Sequence, residues 1–553
     1  MTIKIDRRQL MALGTFGLGA MSAPAYASMA SARGFTHGVA SGEPSQNSVL
    51  LWTRFVGGGD SKLIVEIAQN VDFSGAKMVG EVTASASRDH VTKFIVPDLA
   101  PGQWYFYRFV APDGSKSMIG RTRTLPQGPT QKFNLGVFGC SNLPFGYFNA
   151  YAHAAQRSDL DLVMHTGDYL YEYPVGTYPS TKEALEGRTL DPGHEIVQLA
   201  DYRLRYAAYR SDPDLQRIHQ LYPMIAMWDD HEFTNDAHMS GAQNHQPKTE
   251  GDWEVRKRVA EQVYREWMPV RDRDDGAPLW SEYQIGDLAT LFMTESRIGG
   301  RSEPADLAAA LQGQEDIQTA LTTFRDTVWQ DPERQMLGAV QEAWLAEAMR
   351  KSRTSGTKWQ VWGQQCVMGE LRLPQEAVNW LSDDAPAFAK ARVAVGALAS
   401  KVGLPINLDS WDGYPKARER ALMGAQEADA DLIVLSGDSH NGWAFNLETS
   451  GGAAGVEFGG HSVTSPGLES YLSGADPATA ARAVRETNDQ LQWCDTSNRG
   501  YMTVSLTSDR ATSTWHFLDT IRAKSTALKG SESRTVLRGQ RSLVGIPMPP
   551  QAG

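Results

Sequence analysis

The residues with chemistry to offer stand where apolar runs end. "DLVMHTGDYLYEY" (Asp161 to Tyr173) is apolar up to Gly167-Asp168 and then places three tyrosines and a glutamate within five residues. "DLIVLSGDSHN" (Asp431 to Asn441) has the same form and ends in Asp438, His440 and Asn441. "FNLGVFGC" (Phe133 to Cys140) stops at a cysteine, and "MIAMWDDHEFTND" (Met224 to Asp236) at Asp229, Asp230, His231, Glu232 and Asn235. A glycine before the polar residue lets the backbone turn sharply and brings the carboxylate to the base of a loop. Carboxylate, imidazole, amide, thiol and phenol gathered on one site have few uses other than metal binding: a carboxylate bridges two ions, imidazole suits transition metals and amide oxygen suits harder ones. The anionic oxygen and sulfur of a Tyr and a Cys favour a trivalent ion such as Fe³⁺. Two ions sharing a carboxylate form the clamp used for phosphoryl displacement. Asp168 is then the expected bridge and Tyr171 an iron ligand, with Tyr169 and Tyr173 packing.

Each residue has a plainer alternative. A lone Cys at a strand end is usually a buried small hydrophobe, and Asp168 and Asp438 could be turn formers; their common company favours ligation. Arg203 in "DYRLRY" is the expected phosphate clamp, because a planar guanidinium binds phosphate bidentately. A solvated basic face shared with Arg205 and Arg210 is its alternative. His165, His194, His219 and His461 lack such company and are expected to be structural. Cys366 and Cys494 read as buried thiols, although an exported location permits a disulfide between them.

Such loops need a scaffold. Runs such as Phe133 to Cys140, Asp161 to Asp168, Lys358 to Gln365 and Asp431 to His440 alternate with helical stretches such as Asp252 to Trp267 and Ala339 to Ser352. Near-continuous apolar strands followed by helices predict an α/β layered domain over residues 131–520, with its ligand site at the carboxyl ends of the strands. Before it, residues 35–125 read as short aromatic and β-branched strands punctuated by Gly, Pro and Asp-Gly, an N-terminal all-β sandwich. "LPQGP" (Leu125 to Pro129) is the linker. Residues 521–553 form a polar, Pro-ended tail that could dock or hang loose.

With 553 residues, 41% hydrophobic and 21% charged, the chain has a globular balance and length for two or three domains. A net charge of −12 argues against nucleic acid as a stable partner, since phosphate backbones need clustered Lys and Arg. A phosphorylated small substrate remains open, because a local metal neutralises it. Three cysteines are too few for a disulfide scaffold. Residues 1–27 read as a signal peptide: Arg7-Arg8, an apolar stretch from Leu10 to Ala20, and Ala25-Tyr26-Ala27 as the cleavage site. The paired arginines suggest twin-arginine export, although Asp6 stands where Ser or Thr is usual. The expected location is periplasmic or extracellular, with no membrane span.

"FTHGVASGEPSQNSVLLWTR", "GDYLYEY", "DYRLRYAAYRSDPDLQ", "WDDHEFTND", "MLGAVQEAWL", "DSWDGYPKARERAL" and "SGDSHN" together resemble the PhoD family of secreted alkaline phosphatases, over roughly Phe35 to Leu518. The resemblance implies a β-sandwich followed by a metallophosphoesterase-like domain, with Fe³⁺ and Ca²⁺ in the active site. It would place iron on Cys140, Asp168, Tyr171 and His440, and calcium on Asp168, Asn235 and Asp438. Asn235 and Arg203 would then meet the phosphate, with Asp230 and His231 in the motif but in no assigned shell. Gly299 to Gln330 does not match the family well and is expected, with Gly176 to Asp201, to shape substrate entry. The expected activity is hydrolysis of small phosphate esters by attack of metal-activated hydroxide. A phosphodiesterase acting on envelope polymers, phospholipids or nucleic acid is the first alternative, and a non-catalytic envelope glycan-binding protein is the second.

Overall fold

A computed structural model of the chain describes residues 33–274, 276–381, 387–472 and 474–545. The expected signal peptide, residues 1–27, lies outside these residues. The described residues form three sheets. A nine-stranded sheet runs, in spatial order, Leu528–Leu537, Arg510–Leu518, Gly500–Thr507, Lys132–Phe138, Leu162–His165, Pro223–Ala226, Gly34–Gly42, Val49–Val56 and Val91–Val96. A seven-stranded sheet runs Ser281–Ile285, Ala289–Met293, Trp359–Gly363, Leu432–Ser436, Gly452–Gly459, Gly442–Thr449 and Leu491–Asp495.

Alternation within each apolar run explains how these two sheets stack. Leu162 and Met164 point to one face of their strand and Val163 to the other, as do Ile433 and Leu435 against Leu432 and Val434. The first-named residues fill a core between the sheets with Leu135, Val137, Ile225, Val361 and Val456. Val163 instead packs with Tyr202, Tyr206, Val263 and Trp267 of the helices over the nine-stranded sheet. Leu432 and Val434 pack with Leu345, Met349, Ala421 and Leu422 of the helices over the other. The catalytic part is therefore helix, sheet, sheet, helix, with both strand faces buried, which is why its strands read as continuous apolar runs. The helix Trp253–Trp267 starts where Asp252 accepts from the Glu254 amide, and Pro213–Leu221 where Asp212 caps two amides ahead of a first-turn proline.

The N-terminal sandwich is present, but it is not separate. A four-stranded sheet (Lys77–Ala84, Ser61–Ala68, Trp104–Val110, Gly120–Arg123) packs Leu63, Val65, Ile67 and Phe109 against Val39, Val49 and Leu51. Those three belong to the far end of the nine-stranded sheet, where Ser41 and Gly42 pair in parallel with Pro223 and Met224. Trp52 donates to the Glu266 carbonyl at 2.8 Å across the same boundary. The residues assigned above to a tail likewise include an edge strand, Leu528–Leu537, paired antiparallel to Arg510–Leu518.

Candidate metal centre and phosphate site

Four polar residues just past strand ends hold positive φ: Cys140 at 57°, Asp168 at 53°, Asp438 at 61° and His440 at 65°. Left-handed backbone is uncommon for such residues and persists where the surroundings enforce it. The enforcement comes from three glycine turns closing around Thr166. A Cβ on Gly437 would lie 2.3 Å from Thr166 Oγ1, and one on Gly167, itself at φ 110°, 2.4 Å from Asp229 Cβ. Backbone bonds then tie the turns together, Cys140 N to Gly167 O at 3.1 Å and Ser141 N to Asp168 O at 2.8 Å.

The side chains converge in overlapping sets. One ligand atom each from Cys140, Asp168 and His440 lie within 4.8 Å of one another, and the same holds for Asp168, Asp230 and His231. Tyr171 donates to Asp168 Oδ2 at 3.0 Å, and its oxygen lies 3.2 Å from His440 Nε2 and 2.6 Å from Ser465 Oγ. Asp168 Oδ1 is buried without a hydrogen-bond partner, an arrangement that costs free energy unless a ligand or ion satisfies it. His440 Nδ1 donates to the Pro466 carbonyl at 2.6 Å. Because a carbonyl only accepts, Nε2 carries the lone pair and faces the centre. Burial holds His440 neutral, its pKa lowered to about 3.

The acids behave oppositely. Burial, reinforced by the Asp168 and Asp438 charges, pushes the Cys140 thiol well up. Burial and the neighbouring carboxylates likewise raise Asp168 and Asp438 well above the ordinary carboxylate range. His231 is the counterweight: burial opposes its charge, but Asp230, Asp168 and Glu172 outweigh burial and raise its pKa well above normal. Thiol, phenol, imidazole and unpaired carboxylate around a negative centre fit a resident cation, which alone would let these acids ionise together.

Two glutamates and an arginine that the sequence did not assign hold this set in place. Glu172 Oε2 accepts from His231 Nδ1 at 2.7 Å, while its Oε1 accepts from the Asn235 amide at 2.8 Å and Asn244 Nδ2 at 2.9 Å. Glu232 receives the amides of Asp168, Tyr169 and Asp229 at 3.1, 2.6 and 2.7 Å. Arg297, fully buried, binds Asp229 and Asp409 and reaches Asp438 at 3.4 Å and Asp230 at 3.7 Å. Glu172 and Glu232 stand inside the quoted motifs. Arg297 lies in "ESRIGGR", where no spacing sets it apart from other arginines.

Arg203 requires a correction as a phosphate clamp. Its Nε and Nη2 each meet Glu266 at 2.7 Å, and Nη2 also meets the Ser87 carbonyl at 2.8 Å. The fork is spent on pinning the helix Leu199–Arg210 to the helix Trp253–Trp267 and the sandwich. Asn235 and Asp438 do come together, lining a groove of about 640 Å³. That groove takes its walls from residues 367–373, 406–410 and 468–472; neither loop expected to shape entry, 176–201 or 299–330, contributes to it. Tyr169 bonds His219 at 2.9 Å inside the core, so it packs as expected. Cys366 and Cys494 are buried free thiols. Cys366 offers its sulfur beside Asp229 and Asp438.

Comparison with known proteins decides the family. The model for "PhoD-like phosphatase" matches residues 135–515, and that for its N-terminal domain residues 20–126. The chain belongs to the PhoD-like phosphatase family. It is 31% identical over 494 residues to alkaline phosphatase D of Bacillus subtilis (strain 168), covering 86% of this chain and 76% of that one. A solved structure of PhoD superposes with a TM-score of 0.75 at 27% identity, covering 95% of this chain and 94% of the other. This PhoD-like chain is a phosphoric ester hydrolase with a metallophosphoesterase-like α/β domain behind an all-β N-terminal region. No helix among its described residues is long and apolar enough to cross a membrane.

Proposed function

We propose that this PhoD-like phosphatase is an exported, metal-dependent alkaline phosphatase releasing phosphate from small organic esters. The observation that carries the reading is the convergence of Cys140, Tyr171 and His440 on Asp168, whose buried Oδ1 has no partner. Cys140, Asp168, Tyr171 and His440 would hold Fe³⁺. Asp168, Asn235 and Asp438 would hold Ca²⁺, with Asp230 and His231 within reach of the shared carboxylate. When bound, such ions polarise a phosphoryl oxygen and lower the pKa of water. The chain's own contribution is positional. Glu172 fixes the His231 ring through Nδ1, so that its other nitrogen faces Asp168 and Asp230, where a proton can be held for the departing alkoxide. Glu232 fixes the backbone on both sides of Asp168, and Arg297 keeps Asp229, Asp230 and Asp438 from repelling one another apart. Export rests on the Arg7-Arg8 leader.

The test is a pair of initial rates at alkaline pH with added calcium, on p-nitrophenyl phosphate and bis-p-nitrophenyl phosphate, together with the metal content of Asp168→Ala. Faster monoester cleavage is expected, and the variant should lose bound metal and about 10³-fold in kcat. Faster diester cleavage would replace the monoesterase reading. Parental turnover by Asp168→Ala would end the metal mechanism.

A further inference from the structure

We infer that the groove beside Asn235 and Asp438 is a subsite for the alcohol part of the ester, selecting an apolar chain that ends in a second acidic group. The inference rests on the phosphatase reading above and names its substrate class. At about 640 Å³ the groove has the size of sites for drug-sized ligands, far more than an orthophosphate group occupies. Asn235 and Asp438 of the proposed metal centre stand on its lining, so a phosphoryl group held by them leaves the rest of the groove to the alcohol. Leu371, Leu373, Ile406 and Leu472 give the lining aliphatic side chains, beside the polar Gln243, Asn407 and Ser410. Ile406 leaves 41% of its surface open, an apolar side chain with no partner of its own.

This wall is preformed. Asn488 accepts from the Arg372 amide at 2.7 Å and donates to the Arg372 carbonyl at 3.0 Å, while the Ile406 amide donates to the Leu371 carbonyl at 2.8 Å. A segment held on both sides binds a chain without first being ordered. Two cations stand on the lining, Arg372 and Arg392. Arg372 is engaged with Glu370 at 3.0 Å. Arg392, exposed on the helix Ala387–Lys401, has no ion-pair partner among the described residues and is free to meet a carboxylate or second phosphate. An aliphatic body with a terminal anion matches these four aliphatic side chains and the free guanidinium of Arg392.

The test uses the metal-loaded full chain and n-alkyl phosphates from ethyl to octyl, followed by phosphate release, with the n-alkyl p-nitrophenyl diesters in parallel. kcat/KM should rise about two- to fourfold per methylene until the groove is filled. Ile406→Asp should flatten the series, costing octyl phosphate at least about tenfold more than ethyl phosphate. An ω-carboxyl on the octyl chain should raise kcat/KM in the parent and lower it in Arg392→Glu. A flat series in an enzyme that turns over ethyl phosphate would overturn the subsite, and indifference to the carboxyl would overturn its acidic end. Failure to hydrolyse either ethyl phosphate or p-nitrophenyl phosphate would instead remove the phosphatase reading itself.

Discussion

Cys140, Asp168, Asp438 and His440 each hold a backbone conformation that costs on the order of 1–3 kcal/mol, and Cys140, Asp168 and His440 bring ligand atoms within 4.8 Å of one another. Strain of that size is kept where neighbouring chain leaves no alternative, and here Glu232 and the glycine turns leave none. Glu172 should show how far activity depends on such support. Glu172→Gln keeps the side-chain volume but loses the carboxylate that holds His231, and should lower kcat/KM for p-nitrophenyl phosphate about 10- to 100-fold with an unchanged circular dichroism spectrum. Parental kcat/KM would show that His231 needs no such orientation. Arg203 should behave as a structural residue. Arg203→Met strands a Glu266 that is 2% exposed and should cost about 3–5 kcal/mol in urea unfolding, with kcat on p-nitrophenyl phosphate nearly unchanged. A large fall in kcat without destabilisation would return Arg203 to the phosphate. Glu172 and Arg203 both stand in quoted motifs, "GDYLYEY" and "DYRLRY". The difference is that a carboxylate at a strand end has its position set by local chain, whereas an arginine on a helix can reach in several directions and its partner lies 63 residues away.

At the level of elements, the strands and helices with strong patterns were legible and the edge was not. Val49–Val56 and Trp104–Val110 sit where aromatic and β-branched runs put them, and Gly500–Thr507 pairs antiparallel with Arg510–Leu518 across a short turn. Leu528–Leu537 carries two buried residues, Arg534 and Val536, in a mostly exposed strand. Polar edge strands avoid unwanted pairing and so lack the alternation by which strands are read. This strand still supports the fold. Past it, the Gly539 amide donates to Asp431 at 2.6 Å, the Leu543 amide to Asn446 at 2.9 Å, and Arg541 pairs with Asp429, so the segment clasps the seven-stranded sheet to the nine-stranded one. Deleting residues 526–553 should lower Tm on the order of 5 °C and leave the hairpin strand Arg510–Leu518 as a long bare edge. A truncated protein with parental Tm would show that the clasp contributes nothing.

For the whole molecule, the balance of charge around the centre makes stability depend on metal and pH together. In the metal-free protein, burial raises Asp229 to about 6 and Glu232 and Asp236 to about 7, from ordinary values of 3.8 and 4.5. Asp168 and Asp438 shift the same way. These carboxylates bind more protons in the native state than in the unfolded chain between about pH 4 and 7, so their share of the stability falls as pH rises through that window, while His37, His165 and His440, held neutral by burial with pKa values of about 3, act in the opposite direction below pH 6.5. Asp230 shifts downward, but it contributes only below pH 4. Reloading metal should therefore raise the melting temperature more at pH 8, where these acids are ionised and repel one another, than at pH 5, as differential scanning calorimetry of stripped and reloaded protein at both pH values would record. An equal gain at both would show that these acids do not titrate in the metal-free protein. The sequence by itself determined the layered α/β class, the strand-end positions of Cys140, Asp168, Tyr171, Asp438 and His440, and the sandwich, because each is written in residues close together in the chain. Only the tertiary structure decided that the sandwich shares its sheet with the catalytic strands, that Arg297 rather than Arg203 stands among the carboxylates, and which segments wall the groove. Those outcomes depend on pairings between residues far apart in sequence, such as Ser41 with Pro223 and Arg297 with Asp409 and Asp438. Long-range pairing is chosen by packing over the whole core, and no local pattern records it.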